Sequence, residues 1–176
     1  MSAETTAAEA GLLRFNALTV EAAEAELTTC LAVPRWVSDV ASGRPYRRAA
    51  DVLTLARLSA ARLSEPELDD ALARHPRIGE RAREGHDVEF SRREQASVEG
   101  ADSGAQKAIE VANAAYEKRF GRVFLIRASG RSAPEILHEL NRRSGNDEAT
   151  ETTEVIGQLG EIAVGRLEQL LTGPPG

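Results

Sequence analysis

The sequence predicts an all-α protein: a compact, single-domain bundle of helices with one short extended segment near 123–127. Three observations carry that prediction. Aromatic residues are only 4% of the 176 residues, and alanine and leucine dominate the apolar ones, a composition that favours helix packing over a β-sandwich. Apolar residues recur at three- and four-residue spacing through most of the chain. Ser-x-x-Glu boxes, which satisfy the free N–H groups of a helix start, stand at Ser64, Ser91 and Ser132. A chain of this length suits one domain, predicted over residues 15–171, between a flexible N-terminus (1–14) and a short tail (172–176).

The elements follow in order. Residues 1–14 are small and polar and read as frayed. Thr19 caps a helix through about Leu31, with Val20, Ala23, Leu27, Cys30 and Leu31 on its apolar stripe. Pro34 opens the next helix, which carries Trp36, Val37 and Val40 and stops at Gly43. Arg44-Pro45-Tyr46 is a loop. Arg48 to Arg62 is a helix with Val52, Leu53, Leu55, Ala56 and Leu58 inward. The box at Ser64 opens a fourth helix, whose face runs Leu68, Leu72 and then His75. Residues 80–90 lack a period and read as a loop; the box at Ser91 opens a short helix over about 92–98. Asp102 or Ser103 starts a long helix to Phe120, with Gly121 just past its end. Val123 to Ile126 is an extended, buried run without a partner strand. Ser132 opens a helix through about Arg143, and the last helix spans about 148–171.

Composition and pattern narrow the function. A formal net charge of -6 disfavours a nucleic-acid or anionic-membrane surface as the main partner. The single cysteine, Cys30, lies on a core stripe, which leaves no disulfide framework, thiolate cluster or evident nucleophile. No signal peptide, membrane-length apolar run or Ser-Lys-Leu ending is present, and the expectation is a cytoplasmic protein. His75, His86 and His138 lack metal-ligand spacing, so no metal is expected. Glycine-rich phosphate cradles and the GxSxG elbow are likewise missing.

Three residues stand out from the scaffold. Pro76 pushes His75 out of the α region and ends its helix, which puts the imidazole at a helix C-terminus. The carbonyls and dipole there favour its protonated form, and its ordinary pKa of about 6.5 suits acid/base work. The plainer reading is a surface histidine closing a helix. Arg166 lies on the apolar stripe of the last helix between Ile162 and Leu170, where a guanidinium requires a partner. Either it snorkels to the rim or pairs with a structural glutamate, or it meets a carbonyl-rich or anionic ligand. Glu94 either closes the capping box with Ser91 or holds a neighbouring imidazolium, and Gln95 adds an amide. The extended run near 123–127 also has backbone groups to satisfy, by protein, water or a polar ligand.

His75-Pro76-x-x-Gly79, Ser91-x-x-Glu94-Gln95, Asn113-Ala114-Ala115-Tyr116-x-x-Arg119-Phe120-Gly121-x-x-Phe124 and Arg142-Arg143-x-x-Asn146 together resemble the 2-oxo-4-hydroxy-4-carboxy-5-ureidoimidazoline (OHCU) decarboxylases of urate breakdown. The likeness runs from Phe15-Asn16 through Trp36 and Arg44-Pro45-Tyr46 to Arg166-Leu167. It implies an all-α, cofactor-free enzyme, often a homodimer, that converts OHCU to (S)-allantoin and CO2. It implies His75 as the catalytic acid/base, Glu94 as its partner, and Arg166 as the arginine of the last helix. It also implies substrate contacts at Pro76, at Ser91, Arg92, Arg93, Glu94 and Gln95, and along Phe124, Leu125, Ile126, Arg127 and Ala128.

The chemistry is consistent with these groups. Loss of CO2 leaves an electron pair on carbon, and the C=N bond of OHCU beside that carbon is a built-in sink. The protein then has to supply an apolar slot, a proton shuttle and donors for developing negative charge. Two other readings stay open: a non-catalytic helical interaction module, and a decarboxylase of a related ureido acid, suggested by the short Arg77-Ile78-Gly79 stretch after His-Pro.

Overall fold

The computed structural model describes residues 3–75, 78 and 103–172, and within these eight α-helices form with no strand. They are α1 (Ala3–Ala17), α2 (Val20–Cys30), α3 (Pro34–Ser42), α4 (Ala49–Ala60), α5 (Glu65–Leu72), α6 (Ser103–Phe120), α7 (Ala133–Arg143) and α8 (Glu148–Thr172). The all-α expectation therefore holds, and the run 123–128 has no regular secondary structure. Among the described residues no helix is long and apolar enough to cross a membrane. The chain divides into two compact units, residues 1–64 with 160–176, and residues 65–159.

The first unit contains α1 to α4 and the later part of α8. Its core includes Phe15, Leu27, Trp36, Val40, Val52, Ala56, Ala163 and Leu167, all essentially inaccessible. Burying an indole requires a partner for its N–H, and Trp36 Nε1 donates to the Ala56 carbonyl at 2.9 Å. The loop between α3 and α4 is tied to the end of α1. Asn16 Nδ2 donates to the Tyr46 carbonyl at 2.8 Å, and the Tyr46 amide returns a bond to Asn16 Oδ1 at 2.9 Å. Arg44 Nη1 donates to the carbonyls of Phe15 and Leu18. The Tyr46 hydroxyl donates to the Val40 carbonyl, and burial pushes its pKa up to about 12. The residues Phe15-Asn16 and Arg44-Pro45-Tyr46 are thus a structural joint.

Three sequence expectations are corrected in this unit. Of the stretch read as frayed, residues 3–14 are helical as part of α1, and Gly11, Leu12 and the following Phe15 are buried. Val20 and Leu58, both read as inward, are exposed. Thr19 caps α2 as expected, accepting from the Ala22 amide, and this fixes the start of the helix so that its buried stripe begins at Ala23. In α4 the inward face is Val52, Ala56, Ser59 and Ala60, because four-residue steps from Val52 reach Ala56 and Ala60 and pass over Leu58.

The second unit contains α5 to α7 and the start of α8. A cluster of Ile78, Ile109, Tyr116, Phe120, Phe124, Ile126, Ile136 and Leu140 fills it. Gly121 follows α6 with φ of 66°, and its amide donates to the Glu117 carbonyl at 2.8 Å, the left-handed ending that glycine accepts without strain. The capping box at the head of α7 is formed: the Glu135 carboxylate accepts from both the amide and the hydroxyl of Ser132.

Candidate active site

His75 leaves α5 as the sequence predicts. The amide of Ala73 donates to the Asp69 carbonyl, and those of Arg74 and His75 close the final turn on Ala71 and Leu72. The ring is half-buried, and Nδ1 lies 2.9 Å from the Ala71 carbonyl oxygen. A carbonyl only accepts, so Nδ1 carries the proton, and in the neutral ring Nε2 is the basic nitrogen. Nε2 is itself buried. An imidazole held this way has its Nδ1 committed to the helix end.

The backbone just beyond His75 is held from α6. Asn113, 5% exposed, donates its amide to the Ile78 carbonyl at 3.1 Å. Pro76, Ser91, Arg92, Arg93, Glu94 and Gln95 lie outside the described residues, as does His86.

The stretch Phe124 to Ala128 belongs to the same unit as His75, and Ile78, Phe124, Ile126 and Ala128 share one apolar cluster. Phe124, Leu125, Ile126 and Ala128 are buried, while Arg127 is exposed. Behind this run stands an ion pair that sequence reasoning missed. Arg143 and Glu151 are each 1% exposed, and Arg143 Nε and Nη2 both donate to Glu151 Oε1. The Tyr116 hydroxyl donates to the same oxygen, and Asn146 Nδ2 donates to Oε2. Burial first, then the neighbouring Glu151 carboxylate, pushes the Tyr116 phenol well above its ordinary pKa. The signal for Glu151 was in the sequence: it precedes Val155 and Leu159 by one and two four-residue steps, so it continues the apolar stripe of α8.

Arg166 is 1% exposed, as its place on the apolar stripe predicts, and it belongs to the other unit. A groove of about 570 Å³ beside Lys107, Val111, Leu137 and Asn141 is lined, among the described residues, by none of the predicted site residues. Among the described residues no three His, Cys, Asp or Glu side chains stand together as a metal-binding group would require.

Fold and site together define an all-helical protein in which a histidine at a helix end and a buried, irregular run of backbone belong to one compact unit. The OHCU decarboxylase family profile matches residues 16–168, and the chain belongs to that family. The uric acid degradation bifunctional protein TTL of Arabidopsis thaliana is 27% identical over 133 residues, which cover 73% of this chain and 41% of that protein. The chain thus spans less than half the length of this curated relative. A crystal structure of OHCU decarboxylase in the presence of (S)-allantoin matches the fold with a TM-score of 0.71 at 22% identity, covering 84% of this chain and 97% of that one.

Proposed function

We propose that this chain is a carboxy-lyase that converts OHCU to (S)-allantoin and CO2, with His75 as its acid/base. The observation that carries the reading is the imidazole at the end of α5, whose Nδ1–H is committed to the Ala71 carbonyl so that Nε2 is left basic, in a chain of this family. In the proposed sequence Nε2 takes the proton of the substrate hydroxyl, and the bond to the carboxylate breaks. Its electron pair forms a double bond to the imine carbon, and the C=N pair moves onto nitrogen, which takes a proton from solvent. The enolate oxygen then closes to a carbonyl as its electrons pass to the former imine carbon. The imidazolium then returns a proton to carbon from one side, which makes the product chiral.

Glu94 takes the role of holding the imidazolium, as the resemblance implies. Pro76 and Ser91 to Gln95 are proposed to line the ligand, with Phe124 to Ala128 as a second contact. Arg166 is proposed to bind ligand oxygen. The resemblance also underlies a proposed homodimer, which sedimentation would test, and we place the reaction in the cytoplasm without a cofactor.

The test is purified protein added to freshly prepared OHCU and followed by circular dichroism. The expected result is growth of the (S)-allantoin signal far faster than spontaneous decay; a rate equal to spontaneous decay overturns the proposal. His75→Asn is expected to lose roughly 10²- to 10⁴-fold in kcat with its helical spectrum intact. Near-normal kcat in that variant removes His75 from the mechanism.

A further inference from the structure

Two side chains outside the proposed ligand contacts grip the backbone of the 124–128 run. Arg143 Nη1 donates to the Leu125 carbonyl at 2.7 Å, and its guanidinium carbon lies 4.5 Å from the centre of the Phe124 ring. From α8, Gln158 Oε1 accepts the Arg127 amide at 2.9 Å. The gripped groups belong to residues two apart, and in an extended chain such residues present their peptide groups along the same edge. The same alternation in an extended chain would set the amides of Phe124, Ile126 and Ala128 along the opposite edge. Among the described residues the amides of Phe124, Ile126 and Ala128 have no hydrogen-bond partner, although all three residues are buried. Buried amides are rarely left unsatisfied, so a bound acceptor is a natural partner for this edge.

We propose that Gln158 and Arg143 are positioning residues: by holding one edge of the 124–128 run they fix the other edge as a row of N–H donors for the oxygens of the ligand. This inference rests on the proposed decarboxylase reading for the identity of the ligand, but not for the clamp itself. Arg143 cannot move freely, because Glu151 holds it on two nitrogens. Gln158 is half-exposed, so it is the adjustable member of the pair.

The experiment compares the wild-type chain with Gln158→Leu, which removes the acceptor, and Gln158→Glu, which restores one. Amide hydrogen exchange is read first, because it needs no activity. Faster exchange at Arg127 and its neighbours in Gln158→Leu, with the helices unchanged and protection regained in Gln158→Glu, supports the clamp; unchanged exchange overturns it. Kinetics on OHCU, corrected for spontaneous decay, are read second. The expected result for Gln158→Leu is a roughly tenfold to hundredfold loss in kcat/KM and a fall in enantiomeric excess of the allantoin formed, both recovered in Gln158→Glu. Loss of the clamp in exchange with normal rate and enantiomeric excess overturns the positioning role. A wild-type chain inactive on OHCU overturns the decarboxylase reading instead, and the exchange result still decides the clamp.

Discussion

Arg142 and Arg143 are adjacent in sequence and differ in everything else. Arg142 points outward and bridges two carboxylates, Glu139 at 2.9 Å and Glu154 at 2.6 Å. Hydrogen bonds from Arg142 hold both carboxyls below their ordinary pKa, against the opposing effect of partial burial. A depressed carboxyl pKa stabilises the fold above the unfolded value, about 4.3 for glutamate, and that contribution is lost as pH falls through the folded value. Arg142→Met is therefore expected to be less stable than wild type at pH 6 and nearly equal to it once both carboxyls are protonated. Solvent screening limits the gap to about 1 kcal/mol. Urea midpoints at pH 6 and pH 3 check this, and a gap that widens in acid contradicts it. Arg143 faces inward, where its charge requires Glu151. Glu151→Ala leaves a buried cation and an unaccepted tyrosine hydroxyl, with an expected loss of about 3–5 kcal/mol in the urea unfolding free energy. A loss under 1 kcal/mol would show that the network contributes little.

At the scale of elements, the N-terminal helix carries the sharpest prediction. An exposed glycine inside a helix costs roughly 1 kcal/mol relative to alanine. Gly157, in α8, has open space where a Cβ would stand, so Gly157→Ala is expected to raise the melting temperature. Gly11 reverses the sign. A Cβ there would lie 1.6 Å from the Leu171 carbonyl oxygen, so Gly11→Ala forces α1 away from the end of α8 and lowers the melting temperature. Equal effects at the two sites would mean that α1 does not pack as described. Element positions were largely legible in the chain, because punctuation is local: Thr19, Pro34, Gly121 and the Ser132 box each act within one turn. Helix faces were less legible. Val20 and Leu58 are apolar and exposed, because which apolar side chain is covered depends on the neighbouring helix.

For the whole molecule, ligand binding should register as stability. If the folded chain binds (S)-allantoin, saturation at a hundred times Kd adds about 2.7 kcal/mol to the unfolding free energy. A melting temperature that rises with (S)-allantoin and less with the (R) form is the expected outcome. No rise up to the solubility limit argues against product binding at this site.

The all-α class, the helices after α1 and the standing of His75 and Arg166 as misfits were set by the sequence alone, because capping, proline and apolar period act over a few residues. The run of motifs from Asn113 to Asn146 was also visible, but its purpose was not. Only tertiary structure turned Tyr116, Arg143 and Glu151 into a single network and brought Arg143 and Gln158 onto the backbone of 124–128. Those contacts join residues up to 35 positions apart. Their partners are chosen by how helices pack, and no local pattern encodes that.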